Sequence, residues 1–546
     1  MKRTWWKEAV VYQVYWRSFL DTNGDGYGDL EGVRRKLPYI KELGADVIWL
    51  NPFYVSPDKD NGYDIADYYS IMDKAGTMED FERLLEEAHA IGLKIILDLV
   101  VNHTSDQHAW FLEAKTSIDS PKRDYYIWHD PINNKEPNNW RSYFAPSCWE
   151  YEEESGQYYY HSFAVEQPDL NWENEDLRNE IYAMMRFWLD MGIDGFRMDV
   201  INLLAKRKDL SNVENPYELS YLANNPGIHD YLQEMHEQVL RHYDCMTVGE
   251  IPFVTPAEGA LYVDEARHEL DTLFHFQIAD EMPTWDMLRF KEIQREWYEG
   301  LKGRGWNSQF LNNHDHTRQV TRYGNDKEHR IASAKMLATL THTLPGMPYI
   351  YQGEEIGMTG VSFESIDDYQ DIAMRNRYYE EVEKGRAADE VLTSLQLLSR
   401  DNSRTPMQWN NQAESGFTDG VPWMTVNSNY VELNVEKDLR RGDSVFRYYQ
   451  KLIQLRKSND ALVYGDFKDL LPEHPVVHAY ERRLDEDKFV IVLNHSDEDV
   501  VLPLSLDIRS SVLQNVLNET DTLRPYETRI YKMNETTHNL NSPRSL

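Results

Sequence analysis

Three carboxylates stand in three short, well-separated phrases: Asp199 in Gly195-Phe196-Arg197-Met198-Asp199, Glu250 in Val248-Gly249-Glu250, and Asp315 in Asn312-Asn313-His314-Asp315. Each closes a short apolar run that reads as a buried strand. Cutting a glycosidic bond with retention needs a carboxylate nucleophile and a carboxylic acid on opposite sides of one carbon. A parallel barrel brings such residues from the ends of different strands onto one face. Arg197 precedes Asp199 by two places. Residues two apart on an extended strand point the same way, so the guanidinium can lie beside the carboxylate, keep it ionised and orient it. The competing reading is a surface Arg–Asp pair. Gly249 would leave room for a ligand beside Glu250, and partly apolar walls would let that Glu hold a proton and act as acid, then base. Asp315 could accept hydrogen bonds from two sugar hydroxyls. His314, and His103 at the end of Val100-Val101-Asn102-His103, could each donate to one.

The elements that would carry these residues alternate between strand-like and helix-like from the start. Val10–Tyr15, Asp46–Leu50 and Lys94–Val101 read as strands, with helices at Leu30–Leu43 and Glu79–Ile91 between them. Continuous apolar runs separated by amphipathic helices imply a parallel sheet covered on both sides. Gly44 and Gly92 fall where helix ends are expected. From about Asn102 to Asn171 the alternation gives way to a segment rich in Asp, Asn, Pro, Ser, Tyr and Trp. A structureless loop of that length is improbable in a compact domain, so residues 104–172 read as an inserted subdomain, with Gln157–Ser162 strand-like. The pattern resumes with helix Glu175–Asp190 and strand Gly192–Asp199. Further strands are expected at Met246–Glu250, Thr272–Gln277, Gln309–Asn312 and Tyr349–Tyr351, and helices at Asp230–His242, Leu288–Leu301 and His329–Thr343. Eight strand candidates suit a closed (β/α)8 barrel. Residues 1–103 would form its first part and 173–460 the remainder, with a polar insertion at about 354–443 and a last helix at Val445–Arg456. Residues 461–546 read as an antiparallel C-terminal β domain, with a frayed tail from Asn534.

Composition narrows the function classes. The chain has 546 residues, a 41% apolar fraction, 15 Trp and 35 Tyr, which argues for a large folded core. A formal net charge of −36 repels nucleic acid and anionic membranes, so neither is expected as a partner. Two cysteines, Cys148 and Cys245, in no metal-ligand or disulfide-framework spacing, and the lack of a signal core or membrane-length apolar run point to a cytoplasmic protein. One further phrase, Asp21-Thr22-Asn23-Gly24-Asp25-Gly26-Tyr27-Gly28-Asp29, offers oxygens from Asp21, Asn23, Asp25 and Asp29 plus the Tyr27 carbonyl. That set suits a structural Ca²⁺ ion remote from the chemistry. Gly32 stands where an EF-hand loop has its Glu, and a metal-free Asx-turn loop is the alternative.

Together these phrases resemble the α-amylase superfamily of glycoside hydrolases. Its four hallmark regions are matched by Asp98-Leu99-Val100-Val101-Asn102-His103, Gly195–Asp199, Glu250 and Asn313-His314-Asp315. Within it the chain most resembles the oligo-1,6-glucosidase and dextran glucosidase group, through Gln167-Pro168-Asp169-Leu170-Asn171, Asp60-Asn61-Gly62-Tyr63-Asp64 and Arg400-Asp401-Asn402-Ser403-Arg404-Thr405-Pro406-Met407-Gln408-Trp409. The resemblance implies a retaining exo-α-glucosidase acting on isomalto-oligosaccharides, with Asp199 as nucleophile, Glu250 as acid/base and Asp315 as transition-state stabiliser. It implies that Asp60, Tyr63, His103, Gln167, Arg197, His314 and Arg404 bind the terminal glucose, with Asp60 and Arg404 closing the pocket. Val200 after the nucleophile matches relatives that prefer α-1,6 links. No organic cofactor is expected, the partner is a small oligosaccharide, and a monomer is expected. Trp16, His316-Thr317 and Ile251-Pro252-Phe253 depart from the group's usual neighbours and could line the leaving-group side. A trehalose-6-phosphate hydrolase is the nearest rival, although Arg17 stands where that group has Lys, and an α-glucosidase that prefers α-1,4 links or sucrose is the other alternative. A sucrose isomerase fits less well, for want of an Arg-Leu-Asp-Arg-Asp phrase after Asp315. So does a non-catalytic transporter subunit, which would carry a membrane helix and lack the three acids.

Overall fold

In the computed structural model, eight short runs pair edge to edge into a closed parallel barrel. They are β1 (Val11–Val14), β2 (Val47–Leu50), β3 (Lys94–Leu99), β4 (Gly195–Met198), β5 (Met246–Glu250), β6 (Thr272–Phe274), β7 (Trp306–Gln309) and β8 (Met347–Tyr351). Around the ring the order is β1-β8-β7-β6-β5-β4-β3-β2. The structure describes residues 3–506, 511–518 and 520–533; the tail from Asn534, read above as frayed, lies outside them. Every residue of β1, β2, β4, β5 and β8 is buried, as strands covered on both faces must be. Inside the ring Trp49 stacks on Phe274 at 5.7 Å and Phe274 meets Tyr349 edge-on at 4.5 Å, so the barrel is a packed core and not a pore.

Local chemistry sets the helix ends. Thr77 and Asp80 form a reciprocal capping box at the start of Met78–Ala90. Asn174 caps Glu175–Met191, which stops at Gly192 in the left-handed region. The helix expected over 30–43 is two helices, Leu30–Arg35 and Leu37–Leu43, because Pro38 lacks an N–H and is tolerated only in a helix's first turn. The strand expected over 272–277 ends at Phe274, and Gln277–Glu281 is helical. The seventh strand lies earlier than expected, at Trp306–Gln309, because its polar residues Asn307, Ser308 and Gln309 hide a buried strand from a hydrophobicity reading.

Two insertions rise from the C-terminal face. Between β3 and β4 stands a three-stranded antiparallel sheet of Trp128–His129, Gln157–Tyr160 and Trp149–Glu152, packed through Phe111, Trp128 and Tyr159. After β8 the polar stretch contains helices Ile372–Glu383 and Ala388–Gln396. The two insertions meet where Arg141 forks onto both oxygens of Glu380 at 3.0 and 3.1 Å, and Asn376 donates to the Phe144 carbonyl. Helix Val445–Lys457 completes the barrel.

The C-terminal sheet comprises β9 (Asp466–Asp469), β10 (Val477–Leu484), β11 (Asp487–Asn494), β12 (Ser511–Gln514) and β13 (Thr528–Met533), in the order β9-β10-β11-β13-β12. It starts just after a short helix, Asp460–Tyr464, in which the boundary expected at residue 461 falls. Lys291 on the barrel helix Met287–Leu301 donates to the carbonyls of Leu471, His474 and Val477 and so ties the two domains together. Among the described residues no helix is long and apolar enough to cross a membrane.

Gly195 shows how tightly β4 and β5 approach. Its φ is 146°, and a Cβ there would stand 1.9 Å from the Met246 carbonyl oxygen. Gly195→Ala is therefore expected to lower unfolding free energy by about 3 kcal/mol or more, read as a clear drop in melting temperature; an unchanged melting temperature would contradict this packing.

Candidate active site

The barrel order decides which side chains can meet. Asp199 directly follows β4 and Glu250 ends the neighbouring β5, so the two carboxylates issue side by side. Asp315 lies in the loop after β7. Asp98, inside the apolar run of β3, is fully buried and needs a partner. That partner is Arg197, itself 1% exposed, whose Nη1 lies 2.6 Å from both Asp98 Oδ1 and Asp199 Oδ1 while Nη2 lies 2.6 Å from Glu250 Oε2. One guanidinium thus holds three carboxylates. Trp49 Nε1 donates to the other Asp98 oxygen at 2.7 Å.

The partners assign the oxygens. Glu250 Oε2 accepts from Arg197 and from the Val200 N–H at 3.1 Å, which leaves Oε1 as the oxygen that can carry and deliver a proton. Asp199 Oδ1 is taken by Arg197, which leaves Oδ2 as the oxygen that Arg197 does not hold. Burial pushes the Asp199 carboxyl well above the ordinary range; Arg197 opposes this, but Glu250 and Asp98 add to it, and the two side chains lie within hydrogen-bonding range of each other. Bringing the carboxyls that close disfavours a second negative charge beside the first, which is why the Glu250 side chain adds to the upward shift of Asp199. An inverting pair needs about 6.5–9.5 Å between its carboxyls to admit a water, whereas a retaining pair stands closer.

Asp315 has the opposite electrostatics. Burial opposes its charge, yet His314, Arg404 and Arg400 together hold its carboxyl well below the usual range. His314 Nε2 lies 2.9 Å from Oδ2, and Arg404 Nη2 lies 2.6 Å from Oδ1. Gln13 Nε2, an amide donor, meets His314 Nδ1 at 2.8 Å, so the ring proton sits on Nε2, facing Asp315 and the Tyr63 hydroxyl at 2.8 Å.

A cavity of about 270 Å³ lies over these groups. Asp60, Tyr63, His103 and Arg400 line the side formed by the loops after β2, β3 and β8, while Phe253, Phe276 and His316 line the side formed by the loops after β5, β6 and β7. The first side is closed. Arg400 Nη1 lies 3.2 Å from Asp60, and the Gln167 amide bridges Asp60 and His103 at 3.2 Å each. Burial pushes the His103 pKa down, which keeps the ring neutral.

Arg400, and not Arg404, is the arginine that lies against Asp60 at the cavity wall. Arg404 is fully buried behind the site and bonds Asp315 and the His314 carbonyl. Both arginines stand in one phrase, and only the direction each side chain takes separates them. The room expected beside Gly249 is filled by protein, since a Cβ there would meet Leu270 at 2.5 Å and Ile201 at 3.1 Å. Asp98 is the main residue the sequence reading passed over; a charge inside Ile95-Ile96-Leu97-Asp98-Leu99 was its signal. Val200 lines the cavity with φ 35° and ψ 44°, a left-handed conformation that a β-branched side chain rarely adopts. That backbone aims its N–H at Glu250.

The 21–29 loop lies apart from this site. Asp21 accepts from the N–H groups of Asn23, Gly24 and Gly26, Asn23 from that of Asp25, Asp25 from that of Tyr27, and Asp29 from those of Thr22 and Gly32. These are Asx turns plus a helix cap. Among the described residues no three His, Cys, Asp or Glu side chains gather to hold a metal ion. Burial, with a contribution from Asp21, raises the Asp29 carboxyl, and a hard cation accepting the loop's oxygens would relieve that charge.

The chain matches the family described as "Alpha amylase, catalytic domain" over residues 13–465. It is 49% identical to an oligo-1,6-glucosidase of Parageobacillus thermoglucosidasius, an alignment covering 98% of this chain and 100% of the relative. It is 47% identical to a trehalose-6-phosphate hydrolase of Bacillus subtilis (strain 168), covering 97% and 98% respectively. Among solved structures, an isomaltulose synthase from Klebsiella sp. LX3 superposes with a TM-score of 0.95 at 42% identity, over 97% of this chain and 100% of that one.

A nucleophilic Asp199 has to be ionised, so activity is lost as pH falls through its raised pKa. The acidic limb of kcat/KM is expected above the ordinary Asp value of about 3.9. Asp98→Asn removes one of the charges that raise it and should move that limb to lower pH; a limb that stays put or rises would contradict the electrostatic account.

Proposed function

The chain belongs to the α-amylase family, and from that membership and the site geometry we propose that it is a retaining, exo-acting α-glucosidase that removes terminal α-1,6-linked glucose from isomalto-oligosaccharides and related short α-glucosides. It is a glycoside hydrolase. The single observation that carries the reading is the Arg197 clamp, which puts Asp199 and Glu250 on one guanidinium with one oxygen of each not held by it. Glucose enters with its non-reducing end against Asp60, Arg400 and Gln167, which leaves no path for a longer chain and makes cleavage terminal. Tyr63, His103 and His314 contact its hydroxyls. Glu250 Oε1 gives its proton to the leaving oxygen while Asp199 Oδ2 bonds to the anomeric carbon. The positive charge that develops on the ring is faced by Asp315, which its cations hold ionised. Glu250, now the base, takes a proton from water, and the glucosyl–Asp199 bond is hydrolysed.

The name of the Bacillus subtilis relative favours a second reading, hydrolysis of trehalose 6-phosphate. The cavity argues against it. Asp60, Asp199, Glu250, Asp280 and Asp315 all line it. Among the described residues there, Arg400 is the one permanent cation, already engaged with Asp60 and Asp371 at the closed end. Arg17 is buried and paired with Asp58, so it offers a phosphate nothing.

We also propose that the 21–29 loop holds Ca²⁺ through Asp21, Asn23, Asp25, the Tyr27 carbonyl and Asp29. Support comes from the raised Asp29 carboxyl and the donor set, all hard oxygens. Action as a monomer in the cytoplasm completes the reading; the two unpaired cysteines support the reducing compartment and say nothing of oligomeric state.

Three measurements test these statements. Glu250→Gln should lose roughly 10²–10⁴-fold in kcat/KM on isomaltose and far less in kcat/KM on 4-nitrophenyl α-glucoside, whose leaving group needs no proton, whereas Asp199→Asn should lose nearly all turnover on both. Equal losses in kcat/KM on the two substrates for Glu250→Gln, or turnover by Asp199→Asn, would refute the assignment; faster release from trehalose 6-phosphate than from isomaltose would favour the second reading. Chelating calcium should lower the melting temperature and leave turnover of the still-folded enzyme intact; no thermal shift would remove the cation from the account.

A further inference from the structure

On the open side of the cavity His316 occupies a position the mechanism above does not use. Its Nδ1 lies 2.9 Å from Asn313 Oδ1. That same atom accepts the Asp315 backbone N–H at 2.7 Å, so it must be the amide oxygen and not the nitrogen. His316 Nδ1 therefore carries the hydrogen and donates it. In the neutral ring Nε2 is then a bare acceptor. Among the described residues no hydrogen bond reaches Nε2, although the side chain lines the cavity.

The ring is held in place. It stacks on Phe276 with centroids 5.3 Å apart and planes 25° apart, and the Asn313 bond fixes its rotation about that stack. Arg322, behind the same wall, is tied to the carbonyls of Ala279 and Met282. Burial first, then Arg322 and the neighbouring His314, push the His316 pKa down to about 4 against the pull of Asp315, so the ring stays neutral at ordinary pH. A neutral acceptor in a wall that also carries Asp280 recognises a hydroxyl and has nothing to offer an anion.

Glu250 protonates the leaving oxygen from β5, so the leaving group must lie toward the loops after β5, β6 and β7, where His316 stands. We propose that His316 Nε2 accepts a hydroxyl of the leaving sugar and so is a specificity residue that selects uncharged sugar leaving groups. The inference rests on the α-glucosidase reading and adds to it the chemical class of the leaving group and the atom that reads it.

The test compares two substrates that share the glucosyl half. Isomaltose leaves as a sugar with hydroxyls, whereas 4-nitrophenyl α-glucoside leaves as a phenol with none. His316→Phe keeps an aromatic ring against Phe276 and removes the acceptor, and the loss in kcat/KM should be about tenfold greater on isomaltose than on the nitrophenyl substrate, the order expected for one hydrogen bond. His316→Gln, whose amide oxygen can accept, should recover most of the difference. Activity on the nitrophenyl substrate reports that each variant is folded. Equal losses on both substrates, or no recovery in His316→Gln, would overturn the role of His316 and leave the α-glucosidase reading standing. A wild-type enzyme that cleaves the nitrophenyl substrate but not isomaltose would overturn the α-1,6 specificity proposed above, and this inference with it.

Discussion

One guanidinium organises the site. Arg197 is buried with three carboxylates around it, Asp98, Asp199 and Glu250, and the net negative charge left over makes the site chemically useful. A fully compensated pair would be an inert structural salt bridge. Here one cation faces three carboxylates, and burial together with Glu250 and Asp98 pushes the Asp199 carboxyl up despite Arg197. Breaking a buried charge pair by removing one partner costs about 3–5 kcal/mol in general, and the surrounding fold is arranged so that none is missing. Trp49 donates to Asp98, the Val200 N–H donates to Glu250, and the barrel places β3, β4 and β5 as neighbours so that all three acids reach the same arginine.

The second charge cluster works in the opposite sense. Asp315 is surrounded by His314, Arg404 and Arg400 and stays ionised despite burial. The two clusters are joined through Tyr63, whose hydroxyl lies 2.8 Å from His314 and 3.4 Å from Asp98. A sugar ring entering between them meets a close carboxyl pair, with Asp199 pushed up, on one side and an anion held low on the other. This division of labour suits a transition state whose ring carries positive charge. The cost appears in the backbone, where Val200 sits in a conformation disfavoured for its side chain, at the point where its N–H must turn toward Glu250.

Much of this was legible in the residues. Asp199, Glu250 and Asp315 each close or follow a strand, and the two-residue offset between Arg197 and Asp199 correctly put both on one side of β4. The parallel barrel followed from repeated apolar runs and helix caps. What could not be read depended on side-chain direction or on strands without an apolar signature. Arg400 and Arg404 lie four residues apart in one phrase, and nothing in their order says which turns to Asp60 and which to Asp315. β7 hid behind Asn307, Ser308 and Gln309 because a barrel strand end can bury polar groups that find partners, as Gln309 does with Gln294 and the Pro345 carbonyl. Gly249 seemed to make room for a ligand, but the space it frees belongs to Leu270 and Ile201.

The central claim is that Asp199 and Glu250 act as a close couple on one glucosyl ring. The most direct measurement is the anomeric form of the glucose first released from isomaltose, followed by proton NMR before mutarotation. A couple sharing Arg197 leaves no place for water between nucleophile and ring, so the first product is α-glucose. Release of β-glucose would mean that water attacks directly, and the account of the clamp as a retaining pair would be wrong.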